Sequence, residues 1–154
     1  MQYEMIKREL HVDAAPEIVY EVVSTPEHIA QWWSDHAEFE PVAGSTGEIV
    51  WGDRGAADAD VYAFTVVEAT PPRLFSFRWC YPGGEVAHES NSLLVTLEMI
   101  PADGGTTLRL TETGFLAQGR TAAEVAEQYQ SHVDGWSIFV PRLEAHIAKQ
   151  VDSR

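Results

Sequence analysis

Apolar and polar residues alternate at the start of the chain, in the pattern of a half-buried strand. Between Glu4 and Asp13, the side chains of Ile6, Leu10 and Val12 fall on one face and polar side chains fall on the other. Arg8 falls on the apolar face. The pattern therefore predicts a first strand that directs one cation toward the protein interior.

Two prolines mark short helices after this strand. Pro16 suits the first turn of a helix that runs to about Ser24, and Thr25-Pro26 begins a second helix that ends near Trp33. Turn residues then separate six predicted strands: Ala37–Val42, Gly47–Trp51, Val61–Glu68, Leu74–Cys80, Ser92–Ile100 and Thr106–Thr113. Such short connections favour antiparallel hairpins over parallel crossovers.

The strongest periodic signal lies in the last part of the chain. Thr121 and Glu124 have the spacing of a capping box, which predicts a helix start. After this start, apolar residues recur every three or four positions, as on one face of a helix: Val125, Tyr129, Val133, Trp136, Val140, Leu143 and Ile147. Pro141 lies inside this helical pattern, so we expect a bend between Gly135 and Pro141.

Composition and charge narrow the class of protein. The chain of 154 residues is 45% hydrophobic, which suits one globular domain spanning residues 1–154. Its formal charge of −14 repels phosphate backbones and anionic membrane surfaces, so neither nucleic acid nor membrane is an expected partner. No segment approaches the roughly 18 apolar residues of a membrane span, and the N-terminus carries no signal-peptide pattern. Together with the single cysteine, Cys80, these features predict a cytoplasmic protein.

Several short motifs, taken in order, resemble one known family. They are Ala15-Pro16-Glu17-Ile18-Val19-Tyr20, the segment Thr25–Trp33 with its Trp32-Trp33 pair, the turn and strand Gly104–Leu110, Gly114-Phe115, and Gly135-Trp136. The chain is identified on these residues as resembling the SRPBCC (START/Bet v-like) superfamily, in the branch similar to the C-terminal domain of the activator of heat-shock protein 90 ATPase. The resemblance implies an α+β helix-grip fold. In that fold a curved antiparallel sheet of about seven strands wraps around a long C-terminal helix, with two short helices after the first strand.

The same resemblance implies a binding cavity between the sheet and the last helix. In the superfamily this cavity holds lipids, polyketides or other hydrophobic molecules. Tyr62 and Phe64 could face either side of the sheet, because both faces of their strand are nearly equally apolar. The residues expected to line the cavity are Trp33, Tyr62, Phe64, Phe77, Trp79, Leu97, Leu110, Glu112, His132 and Trp136.

Two polar residues are the candidates for chemistry. Glu112 alternates with Leu108 and Leu110 and therefore projects toward the core. If the first strand pairs with the last, as the resemblance implies, Arg8 lies near Glu112, and the two form either a structural ion pair or a ligand-orienting site. His132 is expected on the sheet-facing side of the last helix. It is either a proton shuttle or an ordinary half-exposed histidine.

Three functions follow from these observations. The first is binding of a small hydrophobic or amphipathic molecule. The second is a cyclase- or hydrolase-like enzyme that uses Glu112, with His132, as acid or base. The third is a chaperone-interaction module, and a homodimer is a further expectation. No cofactor and no metal is expected, since the chain lacks His-Glu-x-x-His, paired cysteines and His-x-His.

Overall fold

The computed structural model describes residues 3–53 and 55–153. Seven strands form one sheet in the order β1-β7-β6-β5-β4-β3-β2, and every neighbouring pair is antiparallel. The α+β helix-grip architecture is therefore confirmed. The elements in chain order are β1 (Met5–Val12), α1 (Pro16–Ser24), α2 (Pro26–Trp32), β2 (His36–Glu38), β3 (Thr46–Trp51), β4 (Asp60–Thr70), β5 (Leu74–Trp79), β6 (Leu93–Ala102), β7 (Gly105–Thr113) and α3 (Ala122–Asp152).

Local sequence signals set the helix starts. α1 and α2 each begin at a proline, whose missing N–H costs nothing in the first turn of a helix. α3 begins with the expected capping box. The Glu124 amide donates to Thr121 Oγ1 at 3.2 Å, and the Thr121 amide donates to Glu124 Oε1 at 2.9 Å.

The second strand is shorter than its sequence pattern predicts. A strand was expected over Ala37–Val42, but β2 ends at Glu38. The Glu40 amide donates to Ser45 Oγ at 3.0 Å, and the Val42 amide donates to the Glu40 carbonyl at 2.8 Å. These bonds use backbone donors that a longer ladder would need, so the chain turns instead.

The hydrophobic core fills the space between the sheet and the helices. On β4, Phe64 and Val66 are buried, whereas Val61 is 58% exposed and Val67 is 41% exposed. Tyr62 and Phe64 therefore lie on the core face, which the alternation alone left open.

α3 covers this core with the stripe of residues predicted for it. Val125, Trp136, Leu143 and Ile147 are buried, and the remaining stripe residues are half-buried. The helix runs on through Pro141, and the bend expected there stays a prediction. No helix in the described ranges has the length and apolar character needed to cross a membrane.

Candidate functional site

A fully buried carboxylate lies at the centre of the site. Glu112 is 0% exposed, and its backbone lies between Ile6 on β1 and Val95 on β6. It reaches the core because side chains alternate along β7, where Leu108 and Leu110 share its face and are also buried. Such a group destabilises the fold unless donors replace the water it has lost.

Three N–H groups supply that replacement. Trp79 Nε1 donates to Glu112 Oε2 at 2.8 Å, while Trp136 Nε1 and His132 Nδ1 both contact Oε1 at 2.9 Å. Trp79 comes from β5, and the other two come from α3. The carboxylate therefore ties the last helix to the middle of the sheet.

The expected partner of Glu112 was Arg8, and this expectation is wrong. Arg8 lies opposite Leu110 in the strand register, and its Nη1 donates to the Lys7 carbonyl at 2.8 Å. Among the described residues the polar contacts of Glu112 are two indoles and one imidazole. Arg8 is half-buried on the edge strand and its bond to the Lys7 carbonyl is exposed, so its guanidinium avoids the desolvation that a place beside the buried Glu112 would cost.

The contact with Glu112 fixes the orientation of His132. An ionised carboxylate only accepts hydrogen bonds, so Nδ1 carries the proton in this contact and Nε2 keeps its lone pair in the neutral ring. The His132 side chain is 14% exposed, and Trp79 packs against it with ring centroids 5.3 Å apart. Glu112 and His132 therefore form one hydrogen-bonded pair, with the free nitrogen of the ring on the side away from the carboxylate.

A pocket of about 180 Å³ lies beside this pair, and we call it the aromatic pocket. Strands β3, β4 and β5 form one wall and α3 forms the other. Its lining residues are Trp33, Trp51, Asp60, Tyr62, Trp79, Ser131, His132, Gly135, Trp136 and Phe139.

Trp33 is the centre of the aromatic wall. Its ring lies 4.8 Å from Trp79, 5.4 Å from Trp51 and 5.5 Å from Trp136, measured between centroids. It follows directly on α2, and its carbonyl accepts from Trp51 Nε1 at 3.2 Å. The neighbouring Trp32 anchors the helix, since its Nε1 donates to the Val22 carbonyl at 3.1 Å. Trp32 thus holds α2 in place, and Trp33 lines the pocket.

The ten predicted cavity residues lie in three places. Trp33, Tyr62, Trp79, His132 and Trp136 line the aromatic pocket. Glu112 lies behind that lining. The other four are buried in the core: Phe64, Phe77, Leu97 and Leu110.

Five lining residues were not predicted from the sequence: Trp51, Asp60, Ser131, Gly135 and Phe139. Phe139 lies seven positions after His132, a helical spacing that would have indicated a shared face. Trp51 and Asp60 are partners in the β3–β4 register, which the strand lengths could not fix. Gly135 begins the segment in which a bend was expected. An added Cβ there would meet no atom within 4 Å, so close approach is not its role.

Electrostatics around the pocket is dominated by acidic groups. The pKa of Tyr62 is raised by burial and, more weakly, by Cys80 and Asp60. The pKa of the Cys80 thiol is raised well above its ordinary value by burial and then by the charge of Glu112, against a smaller opposing effect of Arg120. Within residues 3–53 and 55–153, no cluster of three histidine, cysteine, aspartate or glutamate side chains is placed to hold a metal ion.

Comparisons with known proteins agree with this architecture. The family model for activator of Hsp90 ATPase homolog 1-like protein matches residues 13–148. A crystal structure of a Mesorhizobium loti protein is 20% identical, with a TM-score of 0.74 over 94% of this chain and 97% of that one. The solution structure of the Aha1 dimer from Colwellia psychrerythraea is 17% identical, with a TM-score of 0.66 over 93% and 95%.

A third similar structure comes from a biosynthetic locus. DynU16, a protein of the dynemicin biosynthetic locus, is 25% identical with a TM-score of 0.68, over 94% of this chain and 47% of that one. Among curated proteins no sequence matches this chain. The structural likenesses establish the fold, and the function has to be argued from the site.

Proposed function

This chain belongs to the family of activator of Hsp90 ATPase homolog 1-like proteins, and from that premise we propose that it binds a small hydrophobic or amphipathic molecule in the aromatic pocket. The observation that carries the proposal is the combination of an aromatic wall with one oriented polar group, His132. Pockets of that composition bind apolar ligands through the wall and orient them through the polar group.

The size of the pocket limits the ligand. Its volume of about 180 Å³ is below the roughly 300–1,000 Å³ of sites for drug-sized molecules. It is close to the roughly 150 Å³ of an apolar cavity that accepts benzene. A single ring or a short branched chain fits this volume, and the rest of a longer ligand would extend through the open side of the pocket into solvent.

Gly135 offers a direct test, because it lines the pocket and has open space beside its Cα. Gly135→Leu should fill part of the pocket without a backbone clash. Ser137→Leu is the matched control, since Ser137 is exposed on the same helix and outside the lining. The assay is a thermal-shift screen of small aromatic and branched compounds, with native mass spectrometry to detect bound molecules.

We expect some compounds to raise the melting temperature of the parent and of Ser137→Leu but not of Gly135→Leu. Circular dichroism confirms that each variant is folded. A screen that finds no stabilising compound for the parent, or one whose compounds stabilise Gly135→Leu equally, would contradict binding in the aromatic pocket.

A second candidate function is acid–base catalysis, favoured by the contact between His132 Nδ1 and Glu112 Oε1 at 2.9 Å. This contact leaves Nε2 as a base beside the pocket, and a proton taken there would form an imidazolium next to the carboxylate. With p-nitrophenyl esters as substrates, His132→Gln and Glu112→Gln should each lower turnover by about 100-fold. If both variants keep the parent rate, the pair has no part in catalysis. The chaperone and homodimer hypotheses stay predictions.

A further inference from the structure

The described lining of the aromatic pocket contains an acidic group and no strongly basic one. Asp60 lines it, and among the described residues no lysine or arginine does; the nearby Arg142 guanidinium lies 5.5 Å from the ring centroid of Phe139. Glu112 lies directly behind His132, and the chain as a whole has a formal charge of −14. The electrostatic potential of the pocket therefore favours a positively charged ligand.

His132 does not reverse this sign. Its imidazole is hydrogen-bonded to Glu112, so a protonated His132 is balanced by the carboxylate that it touches. The charge of Asp60 then remains. When His132 is neutral, the charges of Glu112 and Asp60 both remain. Arg120 lowers the pKa of Cys80 and is therefore close to this region, but it does not line the pocket.

The ring surfaces supply the second half of the recognition. Trp51 and Tyr62 line the pocket and are half-buried, so part of each side chain is open to a ligand. Phe139 is also half-buried, but Arg142 already makes a cation–π contact with its ring. Aromatic faces carry a negative quadrupole and attract ammonium groups, most strongly those that are alkylated and weakly hydrated. A hydrated metal ion or a free ammonium ion would lose more solvation energy in such a site than the rings return.

We propose that the aromatic pocket selects a small organic cation with an alkylated ammonium group, held by the rings around it and by the carboxylate of Asp60. This inference rests on the proposed function, because it names the chemical class of the ligand for the same pocket. The volume of about 180 Å³ suits the alkylated ammonium group, and the free small cation is the expected ligand.

Three ligands of nearly equal shape separate charge from size. Choline is the cation. Dimethylbutanol is its uncharged isostere, with carbon in place of the nitrogen. The third ligand is tert-butylacetate, meaning the carboxylate anion of tert-butylacetic acid, which has similar branching. Binding is measured by isothermal titration calorimetry on the full chain. Asp60→Asn removes the carboxylate, and Asp58→Asn is the matched control, because Asp58 is exposed and outside the lining.

We expect choline to bind the parent about tenfold more tightly than dimethylbutanol, and tert-butylacetate to bind more weakly than either. Asp60→Asn should weaken choline binding about fivefold or more while leaving dimethylbutanol unchanged. Asp58→Asn should behave like the parent, and Gly135→Leu should abolish binding of choline.

Several outcomes would overturn the proposal. Dimethylbutanol binding as tightly as choline removes the preference for charge, and tert-butylacetate binding most tightly reverses it. In both cases the pocket still binds a small molecule, so the proposed function survives. Choline binding that is unchanged in Asp60→Asn or in Gly135→Leu overturns the assignment to this site. If choline fails to bind while uncharged compounds from the thermal-shift screen do bind, only the cation inference fails. If no compound binds in either experiment, both fail.

Discussion

Replacing Glu112 with glutamine removes a negative charge from the centre of the fold and keeps the volume of the side chain. The amide oxygen can take the place of Oε1, where it accepts from Trp136 and His132. The amide nitrogen then faces Trp79 Nε1, which is also a donor. The variant therefore weakens two hydrogen bonds and sets the Trp79 indole N–H against the amide N–H groups of the glutamine, so that donors face each other in the core with no acceptor between them.

The free-energy change can be worked out from these contacts. A hydrogen bond to a charged acceptor contributes about 1.5–3 kcal/mol and one to a neutral acceptor about 0.5–1.5, so the two retained bonds lose roughly 2 kcal/mol together. The unsatisfied indole of Trp79 adds about 1–3 kcal/mol. Part of this loss of stability is offset, because the neutral side chain does not carry the desolvation cost of a buried charge. We expect Glu112→Gln to lower the free energy of unfolding by about 2–4 kcal/mol.

Urea unfolding followed by far-UV circular dichroism measures this change without depending on the tryptophans at the site. Glu98→Gln is the control, because Glu98 lies on the neighbouring strand β6 and is half-exposed. Adding Trp79→Phe to Glu112→Gln removes the opposing donor, so in a double-mutant cycle the two substitutions together should cost about 1–2 kcal/mol less than the sum of their separate costs. A loss below about 0.5 kcal/mol, or a gain in stability, would show that burying the charge costs as much as its donors return.

Three further predictions concern α3 and the single cysteine. Gly135→Ala should raise the free energy of unfolding by about 0.5–1 kcal/mol, because the added methyl meets open space and alanine favours the helix; a loss in urea unfolding would contradict this. The pKa of His146 is lowered from its ordinary 6.5 by burial, then by His28 and Lys149. As pH falls through 6.5 the unfolded chain takes the proton first, so stability should drop and then level off below the lowered pKa. His146→Gln should lose less stability than the parent between about pH 7.5 and about pH 5.5, and equal losses would refute this reasoning. Cys80 is half-buried and burial raises the pKa of its thiol, so it should react with Ellman's reagent at neutral pH more slowly in the native protein than after unfolding in urea; equal rates would contradict this.

Local signals in the sequence determined most of the elements of this fold. The capping box at Thr121 and the prolines at Pro16 and Pro26 act within one helical turn, so they specify helix starts without knowledge of the rest of the chain. Alternation along β7 placed Glu112 on the core face for the same reason. Local signals fail at β2. There the Glu40 amide, which the strand pattern assigns to the sheet, donates to the hydroxyl of Ser45 instead.

The partners of Glu112 were decided only by the tertiary structure. Trp79, Trp136 and His132 lie 33, 24 and 20 positions from it in the sequence, and they meet because α3 crosses the face of β5 and β7. Arg8 was the predicted partner because it falls on the apolar face of the neighbouring strand, and the sequence alone does not show that indole donors already in the core would hold the carboxylate instead. Strand alternation thus determined that a carboxylate would be buried. The packing of the helix on the sheet determined what would hold it, and left His132 between that carboxylate and the aromatic pocket.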